Sequence, residues 1–176
     1  MVKEIARSIE IPEGVDIAVD RYTVTVKGPK GQISRRLYYP HTEIKKVDSN
    51  IIVNSRVDRK QQRAMVGTLE AHITNMIVGV TKGYEYRMKA VYSHFPIQIK
   101  ANPGEVAINN FLGERNARSA KILDGVKVEI NKDELVVTGI NKENVGQTMA
   151  NIEQATRVRG FDIRVFQDGV YLVEKR

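Results

Sequence analysis

The chain contains no cysteine among its 176 residues. That absence excludes disulfides, thiolate nucleophiles and thiolate zinc sites together, and it suits a reducing compartment. Histidine is nearly as scarce. His41, His72 and His94 are the only three, and they lie far apart in sequence, without metal-ligand spacing. No metal or cofactor is therefore expected. No stretch approaches the ~20 apolar residues that a membrane helix needs. The opening MVKEIARSIEIPEG is interrupted by charges every few residues and lacks the apolar core of a signal peptide. A soluble, cytoplasmic protein with no membrane contact is expected. No serine lies in a nucleophile-elbow pattern. The carboxylates are scattered and mostly neighbour Lys or Arg, so no catalytic pair stands out. An enzyme is not expected.

What is present is a basic, ordinarily hydrophobic chain. Hydrophobic residues make up 41% and charged residues 28%, a composition that folds rather than staying disordered. Twenty-eight basic residues against twenty-one acidic ones give a net charge of +7, which points to a polyanionic partner. Residues 1–80 carry 13 basic and 9 acidic residues, hence +4, and the remainder 15 and 12, hence +3. Neither half is a polybasic tail, so a basic solvated surface is the competing reading.

One pattern occurs twice. Residues 14–28 moved forward by 111 positions fall without a gap on 125–139: Gly14, Ile17, Val19, Val24, Val26 and Gly28 meet Gly125, Val128, Ile130, Leu135, Val137 and Gly139. Val66-Gly67, Ala71 and Ile73 recur as Val145-Gly146, Ala150 and Ile152 at an offset of 79. Unequal offsets mean loops of different length, hence a duplicated domain rather than a tight solenoid. Each repeat reads as a strand, a tight turn and a strand with one buried face. Further strands of the first sheet are expected at Ile33–Tyr39 and Ile51–Val53. Three-and-four spacing of apolar residues predicts helices over about 59–79 and 142–156, the second capped by Asn141, with Gly160 in its stop region. Strands are predicted over Gly83–Tyr92 and after Gly160, the latter turning at Asp168-Gly169. The segment 93–122 has no counterpart in the first half and is loop-rich, with strands near Ile97–Lys100 and Glu105–Phe111. The fold class is α+β: two similar domains, 1–82 and 83–176, each a mostly antiparallel sheet packed on one long helix.

Two segments carry candidate binding chemistry. Gly28-Pro29-Lys30-Gly31 lacks the spacing of a phosphate loop. As a strand connection it also differs from the helix-joining GxxG of KH modules. It reads as a tight turn from which Lys27 and Lys30 can reach a phosphate. The tail, 154–176, interleaves basic and aromatic residues. With Phe161, Ile163 and Val165 facing the core, Asp162, Arg164 and Phe166 face outward. An outward Arg beside an outward Phe suits RNA, because Arg binds phosphate bidentately and splayed bases stack on aromatics. Pairing of Arg164 with an acid on a solvated strand face is the alternative. Arg115, Arg118 and Lys121 form a second, weaker basic set.

At these residues the chain resembles the universal large-subunit ribosomal protein L-six family, in its archaeal and eukaryotic form. Gln154, Val158, Arg164, Phe166, the run Asp168-Gly169-Val170-Tyr171-Leu172 and Lys175 resemble its C-terminal signature. Ser93-His94-Phe95-Pro96 and Asn110-Phe111-Leu112-Gly113-Glu114 resemble its central motifs, and Gly79-Val80-Thr81 with Gly83-Tyr84 its interdomain junction. Phe161 stands where the signature usually has a basic residue, which passes that contact to Arg159. The resemblance implies a non-enzymatic protein that binds large-subunit rRNA mainly through its second domain. It also implies a place near the sarcin–ricin loop and stalk base, beside translation GTPases and neighbouring ribosomal proteins, and no homo-oligomer. The expected rRNA contacts are Arg157, Arg159, Arg164, Phe166, Lys175 and Arg176, then Arg115, Arg118 and Lys121. A basic two-domain interaction module outside the ribosome is the alternative function.

Overall fold

The structure is a computed structural model that describes residues 5–175. Of the expected contact residues, Arg176 lies outside the described residues. The chain divides into two compact units, Met1–Gly83 and Tyr84–Arg176.

The first unit contains β1 (Ile5–Glu10), β2 (Asp16–Asp20), β3 (Thr23–Gly28), β4 (Gly31–Arg36), β5 (Thr42–Val47), β6 (Asn50–Ser55) and α1 (Lys60–Thr81). Its strands form two three-stranded sheets, β2-β3-β4 and β1-β6-β5. The single sheet expected from the sequence is thus two, because β6 pairs with β1 and β5 and not with the hairpin strands. β1 and β5 were not anticipated: their alternation is masked by charged residues such as Arg7, Glu10, Lys45 and Lys46 on exposed faces. α1 buries Val66, Leu69, Ile73, Met76, Ile77 and Val80 against a core with Ile17, Val24, Val26, Ile51 and Val53. Each such burial contributes about 1.5–3 kcal/mol.

The second unit contains β7 (Tyr84–Val91), β8 (Gln98–Asn102), β9 (Glu105–Asn109), β10 (Arg118–Lys121), β11 (Val126–Asn131), β12 (Glu134–Gly139), α2 (Lys142–Ala155) and β13 (Gly169–Lys175). An antiparallel sheet runs β11-β12-β7-β13, and a smaller one β10-β9-β8. Asn141 caps α2 as expected, its Oδ1 accepting the Glu143 amide at 3.0 Å.

The duplication is visible in register. Ile17 pairs with Val26 and Val19 with Val24; their counterparts pair as Val128 with Val137 and Ile130 with Leu135. Both hairpin turns place a non-glycine residue, Arg21 or Lys132, at positive φ (49° and 55°). Gly28 and Gly139 have a different reason from the bend the sequence suggested. A Cβ on Gly28 would lie 2.7 Å from Val80 Cγ2, and one on Gly139 2.8 Å from Val145 Cγ2. The glycines allow a helix side chain to touch strand backbone.

Candidate nucleic-acid interface

The site is built where α2 ends. Thr156 is buried; its Oγ1 accepts the Val170 amide at 3.0 Å, which stitches the helix end to the start of β13. Between them, residues 156–168 form no strand. This corrects the expected strand after Gly160. Gly160 has φ 77°, and Asp162 then makes a tight turn: its Oδ1 accepts the Arg164 amide at 2.9 Å and its carbonyl accepts the amides of Val165 and Phe166. Asp162 and Arg164 face outward as expected, but the assignment fails at the apolar positions. Phe161, Ile163 and Val165 are 51%, 70% and 61% exposed. Phe166 is half-buried, its ring 4.9 Å from Phe161 and 5.3 Å from His94.

Asp168-Gly169 does not turn a hairpin; Asp168 precedes β13 and Gly169 begins it, opposite Val91. Gly169 is there because the Tyr171 ring lies 3.1 Å from where its Cβ would be. Asp168 is buried, and its Oδ1 accepts the Ser93 amide at 3.2 Å. That bond fastens the 93–96 segment, and with it His94, beside the loop.

Arg118 is the hub of the region. Its Nε and Nη2 donate to the two Glu114 carboxylate oxygens at 2.8 and 2.5 Å. Its Nη1 donates to the carbonyls of Ala155 and Arg157 at 2.9 and 3.0 Å, and its guanidinium lies 4.3 Å over the buried Phe111 ring. This hydrogen bonding holds the Glu114 carboxyl below its ordinary range. The side chain expected to meet phosphate is occupied within the protein, 23% exposed, and positions the last turn of α2 and Arg157.

The remaining candidates fall into distinct places. Arg157 and Arg159 are exposed on the segment leaving α2. Arg164 is 86% exposed and paired to Asp162 at 2.9 Å, in a turn and not on a strand face. The hydrogen bonds between them raise the Arg164 pKa and lower that of Asp162. A groove of about 420 Å³ lies here, lined by Gln154, Arg157, Val158, Ile163, Phe166 and Tyr171 among others. Lys175 stands six residues beyond Gly169 on β13, about 20 Å along the strand at ~3.3 Å per residue. Its Nζ lies 5.6 Å over the Tyr86 ring. Arg115 and Lys121 are exposed, Lys121 on β10 and Arg115 in the loop before it. In the first unit, Lys30 Nζ donates to the Lys82 carbonyl and its amide to Val80 at 2.9 Å, so Lys30 closes the C-terminus of α1, where a cation is favoured. Sequence reasoning names His94, Glu114, Asp168 and Tyr171 but gives their side chains no role; His94 and Asp168 act on partners distant in sequence, Tyr171 on a loop carbonyl, and Glu114 on Arg118 four residues on.

The arrangement suits RNA. It offers exposed guanidiniums for phosphate, an aromatic cluster for a splayed base and a groove between them. Among the described residues, no group of three or more His, Asp or Glu side chains could hold a metal ion. Among the described residues, no helix is long and apolar enough to cross a membrane.

Comparison with known proteins adds the family. The model for ribosomal protein L6 matches residues 11–83 and again 95–169, once on each repeat. The chain belongs to the ribosomal protein L6 family. The L6 family consists of ribosomal proteins and not enzymes. The chain is 62% identical over 176 residues, all of both chains, to the large ribosomal subunit protein uL6 of Methanothrix thermoacetophila. It is 53% identical over 171 residues to uL6 of Methanobrevibacter smithii, covering 97% of this chain and 96% of that one. Against uL6 of Methanosarcina mazei the identity is 51% over 175 residues, 99% of each. The two family matches coincide with the sequence duplication, so the L6 architecture and the internal repeat are one observation.

Proposed function

We propose that this chain is a structural component of the large ribosomal subunit in the cytoplasm. In this reading it binds large-subunit rRNA chiefly through its second unit, near the sarcin–ricin loop and stalk base. There it supports the region where translation GTPases act. It has no catalytic role, takes no cofactor and functions as a single copy. The observation that carries the RNA reading is the loop 156–168. It carries the exposed Arg157, Arg159 and Arg164 together with Phe161 and Phe166, whose rings cluster with His94. The names of the full-length archaeal relatives support the subunit assignment.

The chemistry divides between positioning and contact. Arg118 and Asp168 hold the loop; Arg157, Arg159 and Arg164 contact phosphate; Phe166 and Phe161 offer faces to a base. Lys175, with Arg176, and Arg115, with Lys121, give outlying phosphate contacts. A few such contacts make affinity fall with salt, with a slope of about −0.7 to −0.9 per phosphate neutralised. RNA shape and 2′-hydroxyl contacts add to these phosphate contacts.

Footprinting of the chain on large-subunit rRNA tests the proposal. Protection is expected in the last rRNA domain, around the sarcin–ricin loop. Protection absent there overturns the placement, and a chain that fails to sediment with large subunits is the adaptor of the competing reading.

A further inference from the structure

The first unit contains a second cleft, of about 390 Å³, lined by Arg21, Tyr22, Leu37, His41, Glu43 and Arg56, among others. It lies where the two sheets of that unit are joined by the connection from β4 to β5. Backbone bonds fix its walls. The Leu37 amide donates to the Tyr22 carbonyl at 2.6 Å, and the Arg56 amide to the His41 carbonyl at 3.4 Å. Thr42 Oγ1 donates to the Tyr39 carbonyl at 2.6 Å. The hairpin tip, the connection and the end of β6 are therefore tied into one rim.

The chemistry of that rim is specific. Leu37 is buried and gives an apolar floor. Tyr22 is 46% exposed and braced edge-on by Tyr38, with ring centroids 4.6 Å apart. A tyrosine held this way offers a stacking face at low entropic cost. Arg21 and Arg56 supply two guanidiniums. Glu43 is paired with Lys45 at 3.1 Å and lies 3.9 Å from Arg56, so its carboxylate is held at the rim as an acceptor. Flat face, cations and one carboxylate match a nucleotide part by part: base, phosphate and exocyclic amino group. Carboxylates accept from the amino group of cytosine, and stacking on aromatics is how unpaired bases are held. The volume lies in the range of small-ligand sites, about 300–1,000 Å³.

The duplication provides an internal comparison. At an offset of 111, Arg21-Tyr22 corresponds to Lys132-Asp133. The backbone turn is shared, with Arg21 and Lys132 both at positive φ, so its strain says nothing about binding. The aromatic wall is not shared. It belongs to the first unit alone.

We infer that this cleft holds an unpaired, amino-bearing nucleotide of an RNA strand. The base stacks on Tyr22, its amino group donates to Glu43, and the flanking phosphates meet Arg21 and Arg56. The first unit then contacts RNA in its own right, independently of the loop 156–168.

The test uses the full chain, isotope-labelled, titrated with six-residue oligocytidine and oligouridine while backbone resonances are followed. Oligocytidine is expected to shift residues 21–22, 41–43 and 56, and oligouridine to bind severalfold more weakly. Arg56→Gln and Tyr22→Leu, both at exposed side chains, are expected to weaken binding at those resonances about tenfold, with thermal midpoints unchanged. The triple variant Arg157→Gln/Arg159→Gln/Arg164→Gln is expected to leave them unaffected, which separates this cleft from the second-unit site. The inference is overturned if Arg56→Gln and Tyr22→Leu bind like the native chain. Equal binding of the two oligomers overturns the role of Glu43. Cytidine monophosphate binding as tightly as the oligomer overturns the RNA assignment, as does an acidic peptide shifting the same residues more strongly.

Discussion

Replacing Arg118 separates a positioning arginine from a phosphate-binding one. Arg118→Ala removes two hydrogen bonds to the carbonyls of Ala155 and Arg157, the two-pronged bond to Glu114, and the guanidinium over Phe111. The carbonyl bonds contribute about 1 kcal/mol each net. The Glu114 side chain is 40% exposed, so that pair falls in the surface range of about 0–1 kcal/mol. The cation over the ring adds about 0.5–1 kcal/mol. Together these give about 3 kcal/mol. In a unit of this size each 1 kcal/mol lowers the melting temperature by about 4–8 °C, so a drop of more than about 10 °C is expected. Arg118→Lys should lose about half as much, since one ammonium cannot bridge the carboxylate and both carbonyls. The assay is thermal unfolding by circular dichroism beside RNA binding over a salt series. Arg157→Ala should do the reverse: an unchanged midpoint, and a salt slope reduced by about 0.7–0.9 for one lost phosphate contact. The reasoning is refuted if Arg118→Ala melts like the native chain and reduces the salt slope by one contact.

Gly28→Ala forces a methyl to within 2.7 Å of Val80 Cγ2 and should cost about 1–3 kcal/mol. Gly67→Ala, in α1 with nothing within 4 Å of the new Cβ, should instead gain about 0.5–1 kcal/mol; calorimetry of both variants checks the sign. Glu114 is held below its ordinary value of 4.5 by Arg118, so its contribution is present above that value and lost as pH falls through the lower, folded one. The stability difference between the native chain and Glu114→Gln should accordingly shrink below pH ~4.5, as read from acid unfolding curves. Asp162→Asn keeps the acceptor for the Arg164 amide but removes the carboxylate paired with its guanidinium. RNA binding at low salt should tighten severalfold with the midpoint unchanged, and weaker binding would place Arg164 away from phosphate.

The legible parts of the sequence are those whose signal is local. Strand alternation around Ile17–Val26 and Val128–Val137 reports one buried face, and the pairing follows because the turn between them is short. The helices announce themselves by Val66, Leu69, Ile73 and by Val145, Ile152. The same rule misread 160–165. Phe161, Ile163 and Val165 alternate like a strand, but β7 already has β12 on one edge and β13 on the other, so the segment finds no partner beside the central strand. Gly160 and the Asp162 turn then take the chain out of extended geometry. The role of Arg118 was hidden for a related reason. Its acceptors at 155 and 157 lie 37 and 39 residues away, and nothing in its neighbourhood distinguishes it from Arg115.

The duplication also explains where new chemistry had room to arise. After α1 the chain reaches the next strand through Lys82 and Gly83 alone, with Gly83 at φ 75° closing the helix onto the Val78 carbonyl. After α2 it spends residues 156–168 before β13 begins. A connection of that length with no internal strand is costly in conformational entropy unless side chains hold it. Here the holding groups are Thr156, Arg118 and Tyr171, whose bonds go to backbone atoms at the two ends of the loop, and Asp168, which ties the loop's end to the Ser93 amide. They leave Phe161, Ile163 and Val165 outward, while Val158 and Phe166 are half-buried. The proposed RNA contact uses both features: the exposed arginines meet its charge, and the exposed apolar side chains are covered by it. An acidic solvated surface meets the charge alone.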